Sequence, residues 1–352
     1  MTGHHKVSTH LDTIPNPDII IPLLVVALAA RGDLLDPSHA CAVRLFNGFY
    51  EGFPSLVVDL YGKTLVISNY ADPPEGLSSS LPSIQEFYLS NLPWLSTLII
   101  KSRNSQLLDE RRGKIIYGSS PDKCVREQGV WYAIDLLFNQ DTGFYIDTRN
   151  LRRWALNNLA GKSVLNTFAY TGSLGVAASA AGARRVIHLD RSKKYLDLAR
   201  QSYALNGFPI HAENYWVGDF WEHIARLKHE AQLFDCVFID PPFFATSKKG
   251  TVDLQAQSAN LINKVRPLIS HDGYLVAVNN ALYLAGSEYI KSLEVLCESG
   301  YLSIEALIPV PQDITGYERT RRKLAPVDPV PFNHATKIAI LRVQRKDGRK
   351  DP

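Results

Sequence analysis

After Asp122 the chain alternates short apolar runs with segments of helical spacing, and this alternation leaves few architectures open. VWYAIDLL, SVLNTFAY, RVIHLD, NYWVGD, FDCVFIDPP, YLVAVNN and KIAILRV read as strands. Between them, residues 149–159, 172–181, 193–206, 221–227, 256–268 and 287–299 place apolar side chains at helical periodicity. A strand can rejoin its neighbour in parallel only through a long crossover, so strands regularly separated by helices predict a doubly wound α/β sheet covered on both faces. We expect this unit over 121–352. Ligands of such sheets bind beyond the carboxyl ends of the strands, at the point where the strand order reverses.

Four strand ends carry chemistry. The first, Asn166-Thr-Phe-Ala-Tyr170-Thr-Gly172-Ser-Leu-Gly175, runs into a turn and a helix. Its glycines permit close backbone approach, but the G-x-G-x-x-G pyrophosphate pattern is missing, so a cofactor without a pyrophosphate fits better. Asp190 closes the next strand, where a carboxylate can accept both hydroxyls of a ribose. Gly218-Asp219-Phe220 follows, with Asp219 placed to read an amino edge and Phe220 to pack on a ring. The fourth is Asp240-Pro-Pro-Phe243-Phe244, whose prolines stiffen the turn and remove amide donors, leaving the Asp240 carboxylate to face the pocket. Each feature alone also fits a helix cap or a plain turn. Their joint order is much harder to obtain by chance.

Ahead of this unit, residues 42–120 form a small β-rich α+β module. It contains VRLFNGFYEG, a hairpin turning at Tyr61-Gly62-Lys63, a helix over 83–92, and the strands LSTLIIKS and KIIYGS. Residues 1–41 comprise a polar tail and an apolar helix, Ile19 to Ala30, which is shorter than the roughly 20 residues that span a bilayer. The four cysteines, Cys41, Cys124, Cys236 and Cys297, are scattered without metal or disulfide spacing. A reducing, cytoplasmic setting without membrane attachment is expected. The net charge of +3 decides nothing; local basic groups (Lys101 with Arg103, Arg111–Arg112, Lys248–Lys249, Arg319 to Lys323) are the candidate phosphate contacts, and each also fits a solvated surface.

The order of these strand ends is that of a class I S-adenosylmethionine methyltransferase. RLFNGFYEGFPSLVVDLYG, QDTGFYIDTRNLRR, VLNTFAYTGSLGVAASAAGARRVIHLD, the ALNG ending at Gly207, and FDCVFIDPPFFATSKKG resemble the bacterial large-subunit ribosomal RNA methyltransferases of cytosine-C5 type and their guanine-N7 relatives. The resemblance runs from about Val43 to the C-terminus. It implies a Rossmann-like methyltransferase domain and S-adenosylmethionine as cofactor. It also implies that Gln140, Thr142, Phe144, Asp147 and Arg149 frame the pocket entrance, while Asn166, Tyr170, Gly172, Asp190, Asp219 and Asp240 line it. The partner implied is RNA, 23S ribosomal RNA above all, with a homodimer left open.

Two departures shape the expected chemistry. The stretch ahead of Val43 is expected to be too short for the PUA module common in that family. The cytosine-C5 members carry a thiolate after the strand that here reads YLVAVNNALYL, where this chain has Asn279-Asn280. Transfer to a base nitrogen is therefore expected, either guanine N7 or an exocyclic amine, with Asp240 and Phe243 or Phe244 holding the base and Asn279 or Asn280 orienting its edge. In-line transfer needs no metal. Alternatives are a noncatalytic RNA-binding or ribosome-assembly protein on a degenerate version of the fold, and a methyltransferase of a non-RNA substrate.

Overall fold

The computed structural model describes residues 17–247, 250–322 and 328–351. The polar tail and the predicted contacts Lys248, Lys249 and Lys323 lie outside them.

Helix α1 (Pro17–Ala30) buries Ile20, Leu24 and Ala27, spaced to share one face, against the first sheet. No helix among the described residues is long and apolar enough to cross a membrane. The first sheet is built from β1 (Ala42–Asn47), β2 (Leu56–Tyr61), β3 (Thr64–Asn69), β4 (Thr97–Ser102) and β5 (Lys114–Tyr117), hydrogen-bonded in that order, with only β3 and β4 parallel. Three helices interrupt it: α2 (Gly48–Glu51), α3 (Leu81–Asn91) and α4 (Leu108–Arg112). The run VRLFNGFYEG does not stay extended. The Asn47 side chain accepts from Phe49 N at 3.3 Å and starts α2, and a Cβ on Gly48 would lie 1.7 Å from the Phe53 carbonyl, so only glycine permits this coil.

A second correction concerns VWYAIDLL. Strand β6 (Cys124–Glu127) and β7 (Val130–Ala133) form a separate antiparallel hairpin. The turn is Gln128-Gly129, both with positive φ (50° and 83°), the geometry that matches strand twist in a two-residue loop.

The large sheet comprises β8 (Ser163–Thr167), β9 (Arg185–Asp190), β10 (Tyr215–Val217), β11 (Phe234–Ile239), β14 (Ile269–Asn279), β15 (Leu302–Ile308) and β16 (Lys337–Val343). Strands β12 (Phe244–Ser247) and β13 (Gly250–Asp253) form a hairpin after the Asp-Pro-Pro turn. The order is β10-β9-β8-β11-β14-β16-β15, parallel up to β14, with β16 antiparallel to both neighbours. The sheet expected to be parallel is thus mixed at one edge, because β16 runs antiparallel between β14 and β15, a strand unread in the sequence.

Helices α5 (Arg149–Asn158), α6 (Ser173–Ala180), α7 (Lys193–Leu205), α8 (Phe220–His229), α9 (Leu254–Val265) and α10 (Gly286–Cys297) cover the sheet, and α11 (Gln312–Thr315) returns to β1. Alternate residues divide the core: Leu165, Val237, Ile239 and Leu275 face one apolar layer, and Val164, Cys236, Phe238 and Val276 face the other. Each fully buried aliphatic side chain contributes about 1.5–3 kcal/mol, so both faces hold the sheet.

A buried ionic joint connects the two sheets. Asp313, on α11, accepts from Arg149 Nη1 and Nη2 at 2.8 and 3.0 Å and from Arg44 N at 3.0 Å. Its carbonyl takes Arg31 Nη2 at 2.9 Å, while the Arg31 guanidinium grips Glu51 at 2.9 and 3.0 Å. Removing one partner of a buried pair strands the other charge. Asp313→Ala should therefore lower the unfolding free energy by about 3–5 kcal/mol, read from urea denaturation; a loss below about 1 kcal/mol would show that the joint behaves as a surface pair.

Candidate functional site

At the carboxyl ends of β8, β9, β11 and β14 a cleft of about 500 Å³ opens. It continues into a narrower recess of about 40 Å³ between the end of β9 and the start of α8. Phe168, Asp190, Arg191 and Ala245 line both parts.

The turn after β8 bends sharply, with Phe168 and Tyr170 at φ of 52° and 51°. Non-glycine residues in that region store strain and persist where the surroundings fix them. Here Asp190 holds Tyr170: its Oδ2 accepts from Tyr170 N, while its Oδ1 accepts from Ser192 N after β9, each at 2.8 Å. Burial pushes its carboxyl up, against the pull of these backbone donors. The rings of Tyr145 and Tyr195 flank Tyr170 at 5.2 and 4.5 Å, giving the cleft an aromatic wall. Phe220 stacks on Phe168 at 4.6 Å, and Asp219 lines the recess while its Oδ1 caps α8 by accepting from Trp221 N at 2.9 Å. The cap and the lining role coexist.

On the opposite side stand two carboxylates. Burial pushes Asp240 up to about 7, and the charge of Asp147 pushes the same way. Asp147 Oδ2 accepts from Thr336 Oγ1 at 2.9 Å. Phe243 and Phe244 follow Asp240 and are both exposed, but neither lines the cleft or the recess.

Several expected site residues lie elsewhere. Asn279 is fully buried: its amide donates to Leu254 O at 3.0 Å and its oxygen accepts from Ala281 N at 2.9 Å, so it cannot orient a substrate. The pleat sends Val278 and Asn280 to the cleft instead. Asn166 is buried 3.5 Å from His188 Nδ1, and Gly172 caps α6 where a Cβ would lie 2.6 Å from Ala199 Cβ; both shape the turn from behind. Phe144 is buried with the Arg152 guanidinium 4.0 Å over its ring, and Thr142 Oγ1 pairs with Tyr61 Oη at 2.7 Å, so both belong to the seam with the first sheet. Gln140 offers its carbonyl to Arg103, and Arg149 serves the ionic joint. Lys101 is no surface contact. Its Nζ donates to the carbonyls of Arg112, Asn139 and Asp141 at 2.5, 2.9 and 3.3 Å, and burial pulls its ammonium down to about 8.

The sequence reading missed Phe168, Asp141, Tyr145, Arg191, Tyr195 and Thr336. Thr336 was recoverable in principle: it precedes β16, and an antiparallel strand begins where its parallel neighbours end.

This cleft at a sheet of order β10-β9-β8-β11-β14-β16-β15 defines the class I methyltransferase fold. A solved S-adenosylmethionine-dependent methyltransferase from Streptococcus mutans superimposes with a TM-score of 0.79 at 22% identity, covering 96% of this chain and 83% of that one. The tRNA m1G37 methyltransferase of M. jannaschii shares the fold more distantly, with a TM-score of 0.53 at 12% identity over 93% of this chain and 79% of that one.

Residues 119–299 match the S-adenosylmethionine-dependent methyltransferase family model, and the chain belongs to that family. It is 35% identical over 256 residues to the ribosomal RNA large subunit methyltransferase K/L of Psychrobacter cryohalolentis, 68% of this chain but 32% of the relative. It is 30% identical over 239 residues to the ribosomal RNA large subunit methyltransferase I of Photobacterium profundum, covering 67% of this chain and 60% of the relative. The chain thus spans about a third of the first relative's length and three fifths of the second's.

A carboxyl whose folded pKa lies above its unfolded value burdens the fold when ionised. That burden is complete above the folded pKa and vanishes below the unfolded one. Asp240→Asn should therefore raise the melting temperature at about pH 8, with the gain shrinking toward about pH 5. A pH-independent difference would contradict the raised pKa.

Proposed function

We propose that the protein transfers a methyl group from S-adenosylmethionine to a base nitrogen of large-subunit ribosomal RNA. The observation that carries this reading is the position of Asp240: a carboxyl raised to about 7 that lines a cleft suited to an adenosine and is followed in the chain by two exposed aromatic residues.

The cofactor fits the residues present. Asp190 spends one bond per carboxylate oxygen on backbone amides, and each oxygen keeps a lone pair for a ribose hydroxyl. Phe168 and Phe220 offer an apolar recess for adenine, with Asp219 at its edge. When bound, S-adenosylmethionine supplies an electrophilic methyl group on a sulfonium. The carboxylates of Asp147 and Asp240 favour such a cation electrostatically. Asp240 accepts a hydrogen bond from the target amine, or its proton as the nitrogen becomes methylated, because a carboxyl near 7 is balanced between its two forms. Pro241 and Pro242 keep competing amide donors away. Phe243 or Phe244 stacks on the base and Asn280 orients its edge.

A thiolate route lacks its nucleophile. No cysteine lines the cleft among the described residues, and Cys236 is wholly buried inside β11, where burial pushes its thiol well up. The RNA reading is supported by the K/L and I relatives, which are ribosomal RNA large subunit methyltransferases. The exposed Arg321 and Arg322 offer phosphate contacts near α2.

Tritiated methyl transfer to ribosomal RNA from cells lacking the gene tests this reading. Label should enter RNA with the wild-type protein and fall at least about a hundredfold with Asp190→Ala, since losing a ribose acceptor removes binding and alignment together. Cys236→Ala should retain transfer. A covalent protein–RNA adduct lost in Cys236→Ala would overturn the proposed chemistry.

A further inference from the structure

A second cavity, of about 180 Å³, lies between the two sheets. Arg44, Tyr61 and Arg103 wall one side; Thr142, Asp147 and His334 wall the other. It meets the cofactor cleft along Asp141, Tyr145 and Asp147, which line both.

Most polar groups here are already engaged. Arg44 grips Asp59 at 2.7 and 3.0 Å, Tyr61 pairs with Thr142, and Arg103 lies 3.6 Å from Asp141 while donating to Gln140 O. Of the polar groups that remain, which include the side chains of Ser68, Tyr70 and Gln140, two belong to His334 and Asp147. His334 Nδ1 accepts from Thr336 N at 3.0 Å, and burial pulls the ring down to about 4, so the imidazole is neutral near pH 7. A neutral imidazole that accepts at Nδ1 carries its proton on Nε2. That N–H meets no hydrogen-bond partner among the described residues. Nor does Asp147 Oδ1, since the bond from Thr336 uses Oδ2. One donor and one acceptor therefore line the same cavity, and the acceptor also borders the cleft.

Charge decides what these groups suit. The cations Arg44, Lys101 and Arg103 are matched by Asp59, Asp141 and Asp147, and every cation is already paired or capped by carbonyls. A phosphate would meet three carboxylates without a free cation. A neutral, flat group carrying an acceptor beside an N–H meets its complements.

We propose that this cavity is the subsite for the polar edge of the target nucleobase, with His334 Nε2–H donating to a ring nitrogen or carbonyl oxygen and Asp147 accepting the adjacent N–H. The base then presents its reacting nitrogen to Asp240 across the wall formed by Asp147. The inference rests on the RNA-base reading above and adds the residues that select the base.

The test compares wild type, His334→Ala and His334→Gln in steady-state methylation of ribosomal RNA, with S-adenosylmethionine affinity measured on each protein by calorimetry. His334→Ala should lower kcat/KM for RNA about tenfold or more, as expected when a buried polar edge loses its partner, with cofactor affinity unchanged. His334→Gln, whose amide N–H reaches the place of Nε2, should recover part of the loss. Unchanged kcat/KM, or a parallel loss of cofactor affinity, would overturn the subsite while leaving the RNA reading intact. Wild type that labels no RNA would overturn both.

Discussion

The Asp313 carboxylate holds the site together from outside it. It fixes Arg149, whose Nε lies 3.4 Å from Glu127, and Glu127 takes Arg152 at 2.7 and 2.8 Å. Arg152 then donates to the carbonyl of Tyr145 at 2.8 Å, and Tyr145 is a wall of the cleft. The chain of ion pairs therefore transmits the placement of the first sheet to the cleft. Buried pairs of this kind add little net stability, because desolvation offsets most of their attraction, but a wrong geometry leaves a charge unpaired. Their effect is to permit one arrangement of the two sheets and penalise others.

The cleft adds an acidic interior. Asp147 and Asp240 face one another's charge where burial already disfavours ionisation, which costs stability in the free protein. In the proposed function a cationic cofactor relieves that cost, so the same groups that burden the fold favour the ligand. The strained turn at Phe168 and Tyr170 follows the same logic: backbone that no strand needs is held in place by Asp190, a residue we assign to the ribose.

The large sheet was legible because its strands and helices each obey one periodicity, and a parallel sheet requires such alternation. The strand-end carboxylates Asp190, Asp219 and Asp240 were legible for the same reason, since topology delivers them to one crevice. Asn279 and Asn280 were not separable: adjacent residues of one strand point to opposite faces, and only the register of β14 decides which meets the cleft. Phe144, Arg149 and Lys101 misled because a seam between two sheets consumes polar and aromatic groups much as a ligand does. The hairpin of β6 and β7 was obscured because Gln128 is not a residue whose presence announces a positive φ. His334 gave no signal at all; its tautomer is set by one backbone amide that comes near only in the fold.

Nucleoside mass spectrometry of ribosomal RNA methylated by the purified protein tests the central claim most directly. The account predicts a single new nucleoside whose added methyl group sits on a base nitrogen. A 5-methylcytidine, or any methyl group on a base carbon or a ribose, would contradict it.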